Sequence, residues 1–176
     1  MSHAIALNQV EHEECVERSV FTRFGLILRK KVTWGMVPRD TRTGQVLESM
    51  IIPALERGGY KWRKQTIIGQ RPSGRRHRVD VLASKADGPE IPISLKWQQT
   101  SGTAEQKVPF EIICLADLVQ KSQGRFRKAY LVLGGEGWSL KEFYFKKGLD
   151  AYLKNCEVVE ISSLEGFVAK ANQGKL

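Results

Sequence analysis

The sequence predicts an α/β domain with a mixed β-sheet flanked by helices. Three observations carry this. Three period-two segments, His77–Ser84 flanked by Lys61–Gln70 and Ile91–Gln99, are separated by the turn-forming runs Arg71–Arg76 and Lys85–Glu90, which predicts a three-strand meander. Amphipathic helical segments stand before and after that meander. A further apolar run, Arg127–Gly135, follows the second helix, and a strand reached by a helical crossover pairs in parallel and is covered on both faces.

From the N-terminus, 6–31 reads as one or two helices. Val16, Val20, Phe21, Phe24 and Leu28 recur at helical spacing, glutamates fill the first turns, and Arg29, Lys30 and Lys31 end the run, as the helix dipole favours. Trp34–Gly44 carries Pro38, Asp40 and two glycines and reads as a loop. Val46, Leu47, Met50, Ile51, Ala54 and Leu55 then predict a helix from Gln45, interrupted by Pro53 and stopped by Gly58 and Gly59. The three strands follow. After the polar loop Thr100–Lys107, a helix is expected from Pro109, a residue suited to a first helical turn, to Lys121. Beyond the buried strand Arg127–Gly135, a helix is expected over Ser139–Lys154, a short strand over Cys156–Ser162, and a last helix over Ser163–Asn172. The chain is read as one domain over 1–176: a helical extension (1–44), a core (45–134), and a C-terminal extension of that core (135–176).

The 176 residues, 41% hydrophobic, suffice for a packed core, which excludes a disordered chain. With 28 Lys and Arg against 19 Asp and Glu, the net charge is +9, which points to a polyanionic partner. Cys15, Cys114 and Cys156 are far apart and odd in number. They form no CxxC pair, and His3, His12 and His77 stand at no zinc-ligand spacing from them. The start of the chain has no apolar signal core, and no stretch reaches the roughly 18 apolar residues of a membrane span. The expectation is a reduced, cytoplasmic protein with no membrane partner.

The chemistry concentrates on the meander. Strand period puts Arg78, Asp80 and Leu82 on one face of the second strand, with Val79 and Val81 on the other. On the third strand, Ser94, Lys96 and Gln98 share a face opposite Ile93, Leu95 and Trp97. A hairpin through Gly88 and Pro89 brings Asp80 near Lys96. Such a pair can serve phosphodiester hydrolysis: a carboxylate holds Mg²⁺, a hard ion that prefers oxygen, and an ammonium polarises the attacking water or the phosphate. Glu48, early in the helix before the meander, and Glu111, in the first turn of the helix after it, can lean toward the same rim. By pattern alone each has a plainer use: Asp80 and Lys96 as a salt bridge, Glu48 as an exposed helix residue, and Glu111 as an acid favoured by the helix dipole.

The whole arrangement resembles the PD-(D/E)XK nuclease superfamily, which includes many restriction endonucleases and whose common core is a helix, three strands, a helix and a strand. The resemblance covers about Gln45 to Gly134. "RVDVLA" resembles the metal-binding Asp strand, which implies that role for Asp80. "ISLKWQ" resembles the (D/E)XK strand, which implies the lysine role for Lys96. Glu48 resembles the helical Glu that some members place near the metal. Val79 stands where Pro is common, and Ser94 stands where the second acid is expected. Some restriction endonucleases in the superfamily also show SXK and recover the acid from the following helix. Glu111, fifteen positions after Lys96, falls about where such a migrated Glu lies, which implies that it is the second metal carboxylate. Gln98 is then a candidate to orient water or substrate.

DNA contacts are expected from the arginine-rich turn, where Arg71, Arg75, Arg76, His77 and Arg78 immediately precede Asp80, together with Lys64 upstream. Gln99, Thr100, Ser101 and Lys107 in the polar loop are candidates to approach a groove. Tyr60, Trp62 and Trp97 are read as core or core-edge residues rather than base-stacking groups. Taken together, the sequence reads as a restriction-endonuclease-like domain hydrolysing double-stranded DNA with Mg²⁺ (Mn²⁺ as a substitute), most simply a type II restriction endonuclease acting as a homodimer. Alternatives are a homing, Holliday-junction or repair nuclease, a DNA-binding module without activity, and an RNA-binding protein.

Overall fold

The computed structural model describes residues 42–176 apart from residue 87. The expected helices within 6–31 and most of the 34–44 loop lie outside the described residues, as do Cys15 and the N-terminal histidines. The elements run α1 (Arg42–Arg57), β1 (Lys61–Gln70), β2 (Arg76–Ser84), β3 (Ile91–Trp97), α2 (Ala104–Lys121), β4 (Ala129–Gly134), α3 (Lys141–Phe145), β5 (Val159–Ser163) and α4 (Leu164–Asn172). The five strands form one sheet in sequence order. β1, β2 and β3 pair antiparallel, and β3, β4 and β5 pair parallel, so the sheet is mixed as expected.

Each face of the sheet carries its own apolar cluster. On one, Val108, Ile112, Leu115 and Val119 of α2 pack on Val79, Leu82, Leu131 and Leu133. On the other, Leu47, Ile51 and Leu55 of α1 and Phe167 and Ala171 of α4 pack on Val81, Ile93, Leu95, Tyr130 and Val132. β4 is buried along its whole length, because its alternating side chains feed both clusters. Tyr60 is buried, and Trp62 and Trp97 pack at the edge of the α1 cluster, as the sequence implied.

The starts of α1 and α2 depart from expectation. α1 starts at Arg42, three residues before Gln45, and so includes Gly44. Its end is the predicted one. Gly59 adopts φ +77°, the Tyr60 N–H donates to Leu55 O at 2.9 Å, and the Gly59 N–H donates to Glu56 O at 3.0 Å, which satisfies the last carbonyls. α2 begins at Ala104, so Pro109 lies inside the helix rather than in its first turn. The start is drawn forward by Gln98, whose Oε1 accepts the Ala104 N–H at 3.0 Å. Pro109 has no N–H for the Glu105 carbonyl one turn earlier, and the Tyr144 hydroxyl donates to that carbonyl instead, at 3.2 Å.

The helix expected over 139–154 is broken. α3 spans only Lys141–Phe145, and a 3₁₀ turn covers Gly148–Ala151. Lys147 between them takes φ +58°, and the Phe143 ring lies against Gly148 so closely that a Cβ there would come within 2.2 Å of it. α4 begins one residue after the expected start, because Ser163 serves as its cap: Ser163 Oγ accepts the Gly166 N–H at 3.0 Å.

Tyr144→Phe removes the donor that Pro109 makes necessary. It is expected to cost about 1 kcal/mol, or about 2–4 °C in melting temperature. In a Pro109→Ala background, where the helix supplies its own N–H, the same change should cost distinctly less. Thermal melts of the four proteins of this cycle check the coupling.

Candidate active site

β2 and β3 separate at the point where the chemistry is expected. Their pairing comprises Val81↔Ile93, Leu82↔Pro92 and Ala83↔Ile91 and stops there. Continued one step, it would set Asp80 opposite Ser94. Instead the Asp80 carboxylate takes the place of the missing ladder acceptor, and the Leu95 N–H donates to Asp80 Oδ2 at 2.7 Å. Asp80 is thus held in the seam between the strands, one peptide from Ser94 and Lys96.

The face assignment on β2 needs correction. His77 is fully buried on the α2 side, Val79 and Leu82 both enter the α2 cluster, and Val81 and Ala83 enter the α1 cluster. Strict alternation would have paired Val79 with Val81 and Asp80 with Leu82. The alternation inverts at Asp80, where the partner strand is irregular as well: the register Lys64↔Val81 and Thr66↔Val79 leaves Gln65 opposite Asp80 with φ +48°. The predicted faces of β3 hold. Ile93 and Leu95 join the α1 cluster, and Ser94 and Lys96 meet α2.

On the α2 side, Ser94 links the lysine to the helical acid. Lys96 Nζ donates to Ser94 Oγ at 2.8 Å, and Ser94 Oγ donates to Glu111 Oε1 at 2.9 Å. Lys96 Nζ stands 3.9 Å from Glu111 Oε1 and 3.4 Å from the Leu95 carbonyl oxygen. Arg71 Nη2 reaches Glu111 Oε2 at 3.2 Å, and His77 Nε2 lies 3.9 Å from Glu111 Oε1, beyond hydrogen-bond length. Glu111 is buried, and burial is the largest influence on its carboxyl and raises its pKa. The His77 imidazole, the Lys96 and Arg71 charges and the Ser94 hydroxyl outweigh burial together and hold it at about 2. Glu111 is therefore an ionised carboxylate at neutral pH.

On the other side of Asp80 lies Glu48, buried on α1. Gln65 Nε2 donates to Glu48 Oε1 at 2.8 Å and to Asp80 Oδ1 at 3.3 Å, and Lys64 Nζ stands 3.5 Å from Glu48 Oε2. Asp80, Lys96, Glu111 and Glu48 thus form one chain of contacts through Ser94, the Leu95 backbone and Gln65. Sequence reasoning missed Gln65. A glutamine in a polar, exposed strand carries no signal, and its left-handed backbone is one that Gly or Asn would have advertised.

Three other expectations change. Gln98 does not face the site: its Nε2 donates to Gly137 O at 2.6 Å and its Oε1 caps α2, so both ends of its amide serve backbone. His77 cannot touch DNA, because it has no exposed surface, and both its ring nitrogens lack hydrogen-bond partners. Arg71 turns inward to Glu111 rather than outward. Arg75, Arg76, Arg78, Lys64, Gln99, Thr100, Ser101 and Lys107 are exposed.

Among the described residues, no three His, Cys, Asp or Glu side chains converge closely enough to enclose a metal. Two carboxylates, Asp80 and Glu111, are anchored on the neighbouring β3 residues Leu95 and Ser94, and the Leu95 carbonyl lies between those anchor points and Lys96. This is an all-oxygen set. It does not suit a closed zinc site, but it fits Mg²⁺, which uses one or two carboxylates and keeps several waters. A cavity of about 390 Å³ walled by Ile112, Lys128, Asp150, Glu157 and Lys170 includes none of Asp80, Lys96 or Glu111. These residues sit instead at the open end of the β2–β3 seam.

The low Glu111 pKa implies a pH dependence of stability. Its folded-state value lies below the unfolded one, so its contribution is present above about pH 4.5 and is lost as pH falls through about 2. The full span corresponds to roughly 3 kcal/mol. Glu111→Gln should be less stable than the parent at pH 6, with the gap closing toward pH 2. Urea unfolding across that range measures it.

A model of the PD-(D/E)XK nuclease superfamily domain matches residues 39–175. Among solved structures, the chain is similar to AF1548, a protein of unknown function, at 13% identity, 66% of this chain, 56% of that chain and a TM-score of 0.41. It thus spans little more than half the length of that protein. It is also similar to the small subunit of the heterodimeric restriction endonuclease R.BspD6I, at 18% identity, 75% of each chain and a TM-score of 0.37. No curated protein matches it. With the family model running from before α1 to the end of α4, and with the helix, meander, helix and strand in that order, the chain belongs to the PD-(D/E)XK nuclease superfamily.

Proposed function

We propose that this protein is a Mg²⁺-dependent endonuclease that hydrolyses DNA phosphodiester bonds, with Mn²⁺ as a substitute ion. The single observation that carries this is the Ser94 relay. Where the strand motif lacks its second acid, the Ser94 hydroxyl joins Lys96 to Glu111, a carboxylate supplied by the next helix. Asp80 and Glu111 would hold the cation, with Glu48 behind Asp80. Bound there, it would polarise a phosphoryl oxygen and acidify a water. Lys96, braced by Ser94 and the Leu95 carbonyl, presents its ammonium to the attacking water or the scissile phosphate. Arg75, Arg76 and Arg78, exposed on the turn and strand that lead to Asp80, neutralise backbone phosphates and hold the duplex in register.

The most specific form of the proposal is a type II restriction endonuclease acting as a homodimer, since a palindromic duplex calls for a two-fold protein. Unmethylated phage DNA with Mg²⁺ should then give discrete bands. Bands only from junction or flap substrates would replace this with a junction or repair nuclease. A second reading, a DNA-binding module without activity, draws on the Arg71–Glu111 ion pair, which already engages the second acid with a protein cation.

Asp80→Ala and Lys96→Ala should each lower Mg²⁺-dependent plasmid cleavage by about 100-fold or more while DNA affinity stays within about threefold. Cleavage assays beside fluorescence-anisotropy titrations check this, and unchanged cleavage would overturn the assignment. Arg75→Ala combined with Arg76→Ala should lower the slope of log affinity against log salt by about 2, measured from 50 to 200 mM salt.

A further inference from the structure

We propose that Gln65 is a positioning residue that sets the distance between the Asp80 and Glu48 carboxylates. The inference rests on the Mg²⁺-nuclease reading of the same site. Three features of the chain meet at this residue. First, its backbone takes φ +48° in the middle of a strand, where a side chain with a Cβ is disfavoured. Glycine would adopt that conformation without strain, so glutamine stands here at a conformational cost. Second, the residue stands opposite Asp80, at the step where the β1–β2 ladder skips a pair and the side-chain alternation of β2 inverts. Third, one amide nitrogen donates to both acids, 2.8 Å to Glu48 Oε1 and 3.3 Å to Asp80 Oδ1.

The charges explain why an amide suits this place. Two carboxylates on different elements repel each other, and a neutral group with two N–H donors holds both without cancelling either charge. Lys64 approaches Glu48 at 3.5 Å from the side away from this bridge, so Glu48 has a cation of its own. Asp80 is thus fixed at both oxygens, Oδ2 by the Leu95 N–H and Oδ1 by Gln65. The carboxylate plane is set before a cation arrives. Loss of partners that orient a metal carboxylate typically costs 10- to 100-fold in metal affinity or activity.

Gln65→Gly separates the two consequences, since it relieves the backbone and removes the amide. It is expected to melt at or a few degrees above the parent, while the Mg²⁺ concentration for half-maximal plasmid cleavage and the calorimetric Kd for Mn²⁺ both rise roughly 10- to 100-fold. Gln65→Met, which keeps the length without the amide, should show the same metal defect without the gain in melting temperature. Parent-like metal dependence in both variants overturns the positioning role and leaves the nuclease reading intact. A Gln65→Gly protein that melts lower and loses activity only in proportion assigns the residue to structure, and overturns the role as well. A parent protein that neither binds Mn²⁺ nor cleaves DNA removes the nuclease reading first, and the positioning role falls with it.

Discussion

The hydrogen bond from the Leu95 N–H to the Asp80 carboxylate is the constraint on which the candidate site depends. A central sheet cannot leave buried strand donors unpaired, so two strands that part inside a core need another acceptor. Asp80 is that acceptor. The same bond that completes the backbone accounting of β3 therefore fixes a carboxylate at the mouth of the seam. β3 remains anchored on its far side by β4 through five parallel register pairs from Ile93 to Trp97, so the parting falls on the β2 side alone.

Around this point the charges divide by face. On the α2 side two cations meet one acid: Lys96 and Arg71 stand beside Glu111, and its carboxyl is held far below the usual range. The α1 side has one acid, one lysine and one amide. Serine at position 94 is the residue that makes the first arrangement workable. An acid there would face Glu111 directly, whereas a hydroxyl accepts from the lysine and donates to the carboxylate at once. The serine of β3 and the acid of α2 thus complement each other.

Much of the fold was legible because its elements carry strong periodic signals and firm stops. β1 matches its predicted span, Gly59 ends α1, and α4 covers all but the first residue of its expected span. Asp80 and Lys96 could be grouped because a hairpin through Gly88 and Pro89 sets their strands side by side, and Glu111 because the family resemblance of the Ser94–Lys96 strand implies an acid on the following helix. The missed features are tertiary. Gln98 looked like a site residue because it shares a strand face with Lys96, but nothing in its own sequence shows that a helix start and a loop carbonyl claim both ends of its amide. His77 looked like a member of a basic turn, and only the bulge after Ile67 and the burial of the strand show it turned inward. The inverted faces of β2 follow from the irregular Gln65, a left-handed residue that no propensity predicts.

In the proposed nuclease, Asp80 and Glu111 share one cation at the open end of the β2–β3 seam. Anomalous diffraction from crystals grown with Mn²⁺ and a duplex oligonucleotide tests it most directly. The expected result is a peak within coordination distance of both carboxylates and of the Leu95 carbonyl, with a phosphate beside Lys96. A peak bound by Glu48 and Asp80 alone, with Glu111 still paired to Arg71, would contradict it.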